Sequence, residues 1–143
     1  MRFMMLMYPG EAPELGQMPD EATIAAMMAY NEELTKAGIL LALDGLQASA
    51  KGARISWQHG QPTVTDGPFA EAKELVGGYW MIQVKSKAEA VEWARRCPAM
   101  DGQRVEVRQV FEMADFELPP DSTVHAQVER VSAGVEHANA QSS

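Results

Sequence analysis

The segment RFMMLMY, residues 2–8, sets the terms for any fold this chain can adopt. In an extended strand successive side chains alternate, so Phe3, Met5 and Met7 fall on one face and Met4, Leu6 and Tyr8 on the other. A strand that is apolar on both faces has to be covered on both. Helices can serve on one side, and a second subunit is the economical cover for the other. The ten methionines of the chain suit such a surface, because flexible thioethers fill irregular gaps. The same stretch superficially resembles a secretory leader. Its apolar run ends at Tyr8, however, it carries a single arginine, and no small-residue cleavage site follows. It therefore reads as a strand of a protein that stays in the cytoplasm.

At 143 residues the chain is long enough for one domain with a core that needs neither disulfides nor metal. No apolar run reaches membrane-spanning length. The formal charge of −8 lacks the basic footprint that displaces counterions from phosphates, which argues against direct nucleic-acid binding. The lone cysteine, Cys97 in WARRCP, excludes an internal disulfide and reads as a buried structural thiol, since no histidine lies nearby to activate it.

After the link PGEAPELGQMP, residues 20–37 read as a helix with Asp20 as N-cap, Ile24, Met27, Met28 and Leu34 as its apolar stripe, and Gly38 as its stop. Asn31 falls on that stripe, either as a polar residue at the edge of the core or as part of a site facing the sheet. ILLALDGLQ (39–47) is a second strand. ARISWQ and QPTVTD, joined by His59-Gly60, form a hairpin with the histidine as a solvated turn residue. GGYWMIQVK (77–85) is a third long strand, with Trp80, Ile82 and Val84 on one face and Tyr79, Met81 and Gln83 on the other. In SKAEAVEWARRCP, Ser86 and Glu89 have capping-box spacing, and Ala90, Val91, Ala94 and Cys97 form the inward stripe. QRVEVRQVFEM (103–113) is a fourth strand. Without the hairpin the order is βαββαβ, an α+β ferredoxin-like pattern with both helices on one face of an antiparallel sheet. Its bare face is the one a homodimer would cover.

Residues 117–143 read as an acidic C-terminal tail outside a domain spanning 1–116. Valines at 124, 128, 131 and 135 have the spacing of a helical seam, too short for an independent coiled coil. Two readings stand: a frayed or disordered end, or a helix whose valines dock on a partner.

The stretch VTDGPFAEAKE (64–74) holds the chemistry-bearing residues. Gly67 allows close backbone approach, and Pro68 can open a short helix over 68–75 that Asp66 would cap. Alternatively Asp66 is a general base and Lys73 a cation holding an anionic substrate, with Phe69, Glu71 and Glu74 beside them. Tyr8, Asp44, Tyr79 and Trp80 are the other pocket candidates. No phosphate loop, zinc-ligand set, nucleophile elbow or dinucleotide fingerprint is present, so the residues support neither a metal nor another cofactor.

TDGPFAEAKELVGGYW, AVEWARRCP, VEVRQVFEMADF and YNEELTKAG together resemble the YCII-related family, in the branch named for its Asp-Gly-Pro-Phe motif. The similarity runs from about Met4 to Phe116. It implies a ferredoxin-like fold of the dimeric α/β-barrel type. The wider family mixes uncharacterised proteins with a few small-molecule enzymes, while the residues themselves offer Tyr8, Asp44, Gly67, Pro68, Phe69, Glu71, Lys73 and Tyr79 as ligand-binding candidates. Relatives include dechlorinases of chlorinated aromatics and lactone dehalogenases, and the branch often occurs beside extracytoplasmic-function sigma factors. The resemblance thus fits a cofactor-free acid/base enzyme and, alternatively, an accessory module for a sigma-factor system. Some relatives carry a His–Asp dyad, for which no histidine stands at a matching position here. Leu43-Asp44-Gly45 replaces the branch's usual Gly-Glu-Gly, and Glu71-Ala72-Lys73 its Glu-Thr-Lys.

Overall fold

A computed structural model describes residues 1–143 in two compact units, Met1–Val110 and Phe111–Ser143. The first contains strands β1 (Arg2–Tyr8), β2 (Leu40–Gly45), β3 (Ala53–Gln58), β4 (Gln61–Asp66), β5 (Gly78–Gln83) and β6 (Arg104–Gln109), with helices α1 (Glu21–Lys36) and α2 (Lys87–Arg95). β2, β5, β1 and β6 form one sheet in that order, every neighbouring pair antiparallel. β3 and β4 form a separate two-stranded ribbon. Set the ribbon aside and the four strands, counted along the chain, lie in the order 2-3-1-4, which is the ferredoxin-like arrangement.

Helix starts follow the local chemistry. The Asp20 carboxylate accepts the Thr23 N–H at 2.8 Å, satisfying one of the donors a helix N-terminus leaves over. Ser86 Oγ accepts the Glu89 N–H at 3.1 Å. The reciprocal arm of that box reaches one residue further back than its spacing implies: Glu89 takes the N–H of Lys85 at 3.0 Å. At the hairpin tip His59 and Gly60 have φ of 52° and 77°, the two positive values that a tight two-residue hairpin turn demands.

Alternation along β1 is clean. Phe3, Met5 and Met7 are buried, while Met4, Leu6 and Tyr8 on the opposite face are partly exposed. The buried set pairs across the sheet with Ile82, Trp80 and Gly78, and joins Tyr30, Leu34, Val84 and Ala90 in the core. Both helical stripes differ from the expected ones. On α1, Ile24 and Met28 are 45% and 51% exposed, and the inward residues are Tyr30, Asn31 and Leu34, with Met27 packed beside them. On α2, Val91 turns outward and Trp93 packs with Ala94 and Cys97.

The physical reason for the rotated stripe on α1 is that its polar groups find partners inside. Trp80 Nε1 donates to Asn31 Oδ1 at 2.8 Å, and Tyr30 OH donates to the Trp93 carbonyl at 2.8 Å. The Tyr30 and Trp80 rings meet edge to face at 5.7 Å, a favoured aromatic geometry. Burial, first of all, pushes the Tyr30 hydroxyl far above its ordinary range. Asn31 is therefore a satisfied core residue, and Trp80, at 5% exposure, lies in the core rather than in a surface pocket.

In the second unit, α3 spans Val124–Gln141, so the tail is helical over its valine seam. Val131 and Val135 are 66% and 55% exposed. Phe111 and Phe116 pack ring to ring at 5.1 Å.

Asn31→Ala strands the Trp80 indole N–H inside the core, which typically costs about 1–3 kcal/mol. Urea unfolding is expected to show that loss. In the Trp80→Phe background, where no donor remains to be stranded, the same change is expected to show substantially less.

Candidate functional site

β4 ends at Asp66, which pairs across the ribbon with Ala53. The following Gly67–Pro68 peptide is cis, and the Gly67 N–H donates to the Gly52 carbonyl at 3.0 Å. A Cβ at position 67 would stand 1.8 Å from the Ser49 carbonyl oxygen, so only glycine lets these two backbones pass. Two residues on, the Phe69 N–H donates to Ser49 Oγ at 3.0 Å. Ser49 in turn gives its hydroxyl to Glu14 Oε2 at 2.5 Å and its backbone N–H to Glu14 Oε1 at 2.8 Å. Those two bonds, the hydroxyl's first, hold the Glu14 carboxyl below its ordinary range. The Arg54 guanidinium caps the Phe69 ring at 4.0 Å, a cation–π contact.

The expected helix over 68–75 does not form. A single 3-10 turn, Ala72–Glu74, takes its place, and Asp66 ends a strand rather than capping a helix. The cause is visible in the bonds: the Phe69 N–H, which such a cap would have taken, is already given to Ser49. Glu71 immediately precedes the turn and Lys73 lies within it, both exposed.

The remaining candidates lie on the sheet face that the helices leave open. Register places Ala42 beside Met81 and Asp44 beside Tyr79. Met4 lies beside Met81 and Leu6 beside Tyr79, and β6 sets Arg104 opposite Tyr8, Glu106 opposite Leu6 and Arg108 opposite Met4. The middle of this face is apolar and its ends carry charge. Tyr79 OH donates to Asp44 Oδ2 at 2.8 Å, and that bond, ahead of burial and the carboxylate's charge, raises the Tyr79 hydroxyl above its ordinary range. Tyr8 OH donates to Glu106 Oε2 at 3.3 Å. Arg104 stacks on the Tyr8 ring at 4.4 Å, and Arg108 stands 3.7 Å from Glu106.

The nine candidates thus fall into two groups, the corner at 66–73 and the open face with Tyr8, Asp44 and Tyr79. One segment joins them. Asp44 meets Tyr79, while Ser49, five residues later, holds Gly67 and Phe69. Five residues span at most about 18 Å. Gly77 anchors the return path: its N–H donates to the Met7 carbonyl at 2.8 Å, and its own carbonyl accepts from Leu46 N–H at 2.9 Å. Elsewhere, burial pushes the Cys97 thiol up to about 11, which keeps it protonated and unreactive near neutrality. No three His, Cys, Asp or Glu side chains converge as metal ligands do.

Comparison with known families bears on the same residues. The family model for the YCII-related domain matches residues 1–114, a span that takes in the whole sheet, both of its helices and the corner. The chain belongs to the YCII-related family. An uncharacterized protein from Rhizobium meliloti (strain 1021) is 33% identical over 76 residues, 53% of this chain and 61% of that protein. The chain therefore spans less than two thirds of that relative's length.

Within this YCII-related domain, four participants were not expected from sequence. Glu14 and Ser49 clasp the corner, and Arg104 and Glu106 complete the charged end of the open face. Glu14 and Ser49 are 35 residues apart and share no periodic pattern, so nothing local marks them as partners. The strand residues were within reach, because Arg104 and Glu106 alternate with Val105 and Val107 and must share a face.

Two measurements check this geometry. Ser49→Ala is expected to raise the Glu14 carboxyl toward its ordinary value, read from carboxyl-carbon shifts in an NMR pH titration. Because the folded value is depressed, the clasp stabilises the protein above about pH 4.5. The stability difference between wild type and Ser49→Ala is therefore expected to be full at neutrality and to narrow as pH falls through the depressed value, down to the pH-independent part left by the lost Phe69 N–H bond. Separately, Asp44→Asn is expected to move the ionisation of Tyr79 down toward about 10, followed by tyrosinate absorbance against a Tyr79→Phe control.

Proposed function

We propose that this YCII-related protein works as a homodimer that binds a small polar or aromatic molecule where the open sheet face meets the Asp66–Lys73 corner. A second subunit lying over that face would turn it into an enclosed pocket. The observation that carries the reading is the open face itself. An apolar strip of Met4, Leu6, Ala42 and Met81 is flanked by two tyrosine–carboxylate pairs, Tyr79–Asp44 and Tyr8–Glu106, with Arg104 stacked alongside. Apolar walls with a few placed polar groups are the usual makeup of a small-molecule site.

The chemistry such a pocket supports is cofactor-free proton transfer. Asp66 is its base, standing at the end of β4 and released from the capping role that sequence suggested. The corner clasp fixes its backbone, and Lys73 in the next turn offers a cation to an anionic ligand. A positioned base typically contributes about 10²–10⁴-fold in rate. The family resemblance to enzymes of halogenated aromatics and lactones sets the compounds to try first.

A second reading has its own observation. The four-valine seam of α3 is largely exposed, as a helix that binds another protein would be, and the branch's association with extracytoplasmic-function sigma factors names a system in which to look.

A thermal-shift screen against small acids, lactones, phenols and halogenated aromatics separates the two. A bound compound at 100 times its Kd adds about 2.7 kcal/mol and is expected to raise Tm by several degrees. Tyr79→Phe is expected to reduce that shift. Asp66→Asn is expected to leave the fold intact and abolish any turnover of the same compound. A protein that ignores every compound, and loses a protein partner when residues 117–143 are removed, fits the second reading instead.

A further inference from the structure

The β3–β4 ribbon has one face that is apolar except at its end and is largely exposed. Directly opposed residues of an antiparallel pair share a face. Ala53, Ile55 and Trp57 of β3 stand opposite Asp66, Val64 and Pro62 of β4, while Arg54, Ser56 and Gln58 stand opposite Thr65, Thr63 and Gln61. The second set is polar. The first is apolar save for Asp66, and Ile55, Trp57 and Val64 are 49%, 70% and 67% exposed. An isolated two-stranded ribbon is marginal in water unless a further strand or a packed surface supports it. The rest of the chain braces the polar side through Arg54 on Phe69 but leaves Ile55, Trp57 and Val64 exposed, so cover for the apolar face has to come from outside the chain.

We propose that the β3–β4 ribbon is an arm whose apolar face is received by the open sheet face of a second copy of this chain. The proposal rests on the pairing advanced above and adds to it what seats the two copies. Three considerations select a second copy as the occupant. The first is area. Trp57 offers on the order of 150 Å², and Ile55, Pro62 and Val64 extend the patch to a few hundred Å², a size that is often functional where it occurs. A stable interface needs about 800 Å² from each partner, more than the arm supplies alone. In a two-fold pair each copy contributes both an arm and a receiving face, and the sum enters that range.

The second consideration is charge. Asp66 is the one charged residue on the arm's apolar face. On the open sheet face Arg108 is paired with Glu106, while Arg104 stacks on the Tyr8 ring without a carboxylate at ion-pair distance, a cation that suits it. The third is symmetry. Arm-to-face contact made twice is self-complementary and closed, as a two-fold interface requires. One consequence follows for the site. The arm that docks on a copy's open face brings Asp66 of the partner copy to that face, so the candidate base and the tyrosine–carboxylate pairs that serve one ligand come from different chains.

The test uses the full chain labelled with 5-fluorotryptophan, followed by sedimentation velocity and fluorine NMR over a dilution series. Trp57 is exposed and outside the core, so Trp57→Ser should fold, and its missing signal assigns the Trp57 resonance. The expected result is a wild-type dimer whose Kd rises at least tenfold in Trp57→Ser, with the Trp57 signal losing its H₂O/D₂O solvent shift on dimerisation. A wild-type dimer with an unchanged Kd in the variant, and Trp57 still sensitive to solvent, overturns the arm while leaving the pairing intact. A wild type that stays monomeric throughout the series overturns both. Trp57→Phe supplies the same assignment while keeping an aromatic ring on the ribbon, so a folding defect in Trp57→Ser leaves the NMR arm decisive.

Discussion

The structure depends first on the central strand β1 having two faces of the same chemistry. Phe3, Met5 and Met7 tie the sheet to α1 and α2, and once these two are committed to that side neither is left for Met4, Leu6 and Tyr8. The helical side is closed by specific bonds as well as by burial. The Trp80 indole finds its partner on α1 and the Tyr30 hydroxyl of α1 finds its own on α2, and together these bonds favour one rotation of α1 over the sheet. The open side follows from the same topology. It is where Tyr8, Asp44 and Tyr79 come together.

Much of this was legible in the sequence, and the parts that were not share a cause. Strand alternation is local, so the faces of β1 and β5 could be read directly, as could the hairpin turn at His59-Gly60 and the caps at Asp20 and Ser86. The stripe of α1 could not, because choosing Tyr30 and Asn31 over Ile24 and Met28 requires knowing that a tryptophan N–H and a backbone carbonyl wait across the core. Hydrophobicity ranks those residues the other way. For α3, the valine spacing suggested a helix while its length argued against one that stands alone.

The corner at Asp66–Phe69 shows the same limit more sharply. Asp-Gly-Pro suggests a capped helix because Asp favours the N-cap and Pro the first turn. What decides the outcome is Ser49, distant in sequence, which claims the Phe69 N–H and comes so close to Gly67 that no side chain fits. Glu14 completes the arrangement from a third segment. In this corner glycine is required by the space between two backbones, and only secondarily by its freedom of rotation.

One feature of the sheet edge bears on how copies of the protein can meet. β2 is an edge strand, and its register with β5 slips between Leu40 and Ala42. The opposite edge, β6, alternates Arg104, Glu106 and Arg108. Bulged and charged edges are poor templates for adding another strand. Growth of the sheet from molecule to molecule, which has no natural end and leads to fibres, is disfavoured at both borders. Any contact between copies then falls to the faces of the sheet.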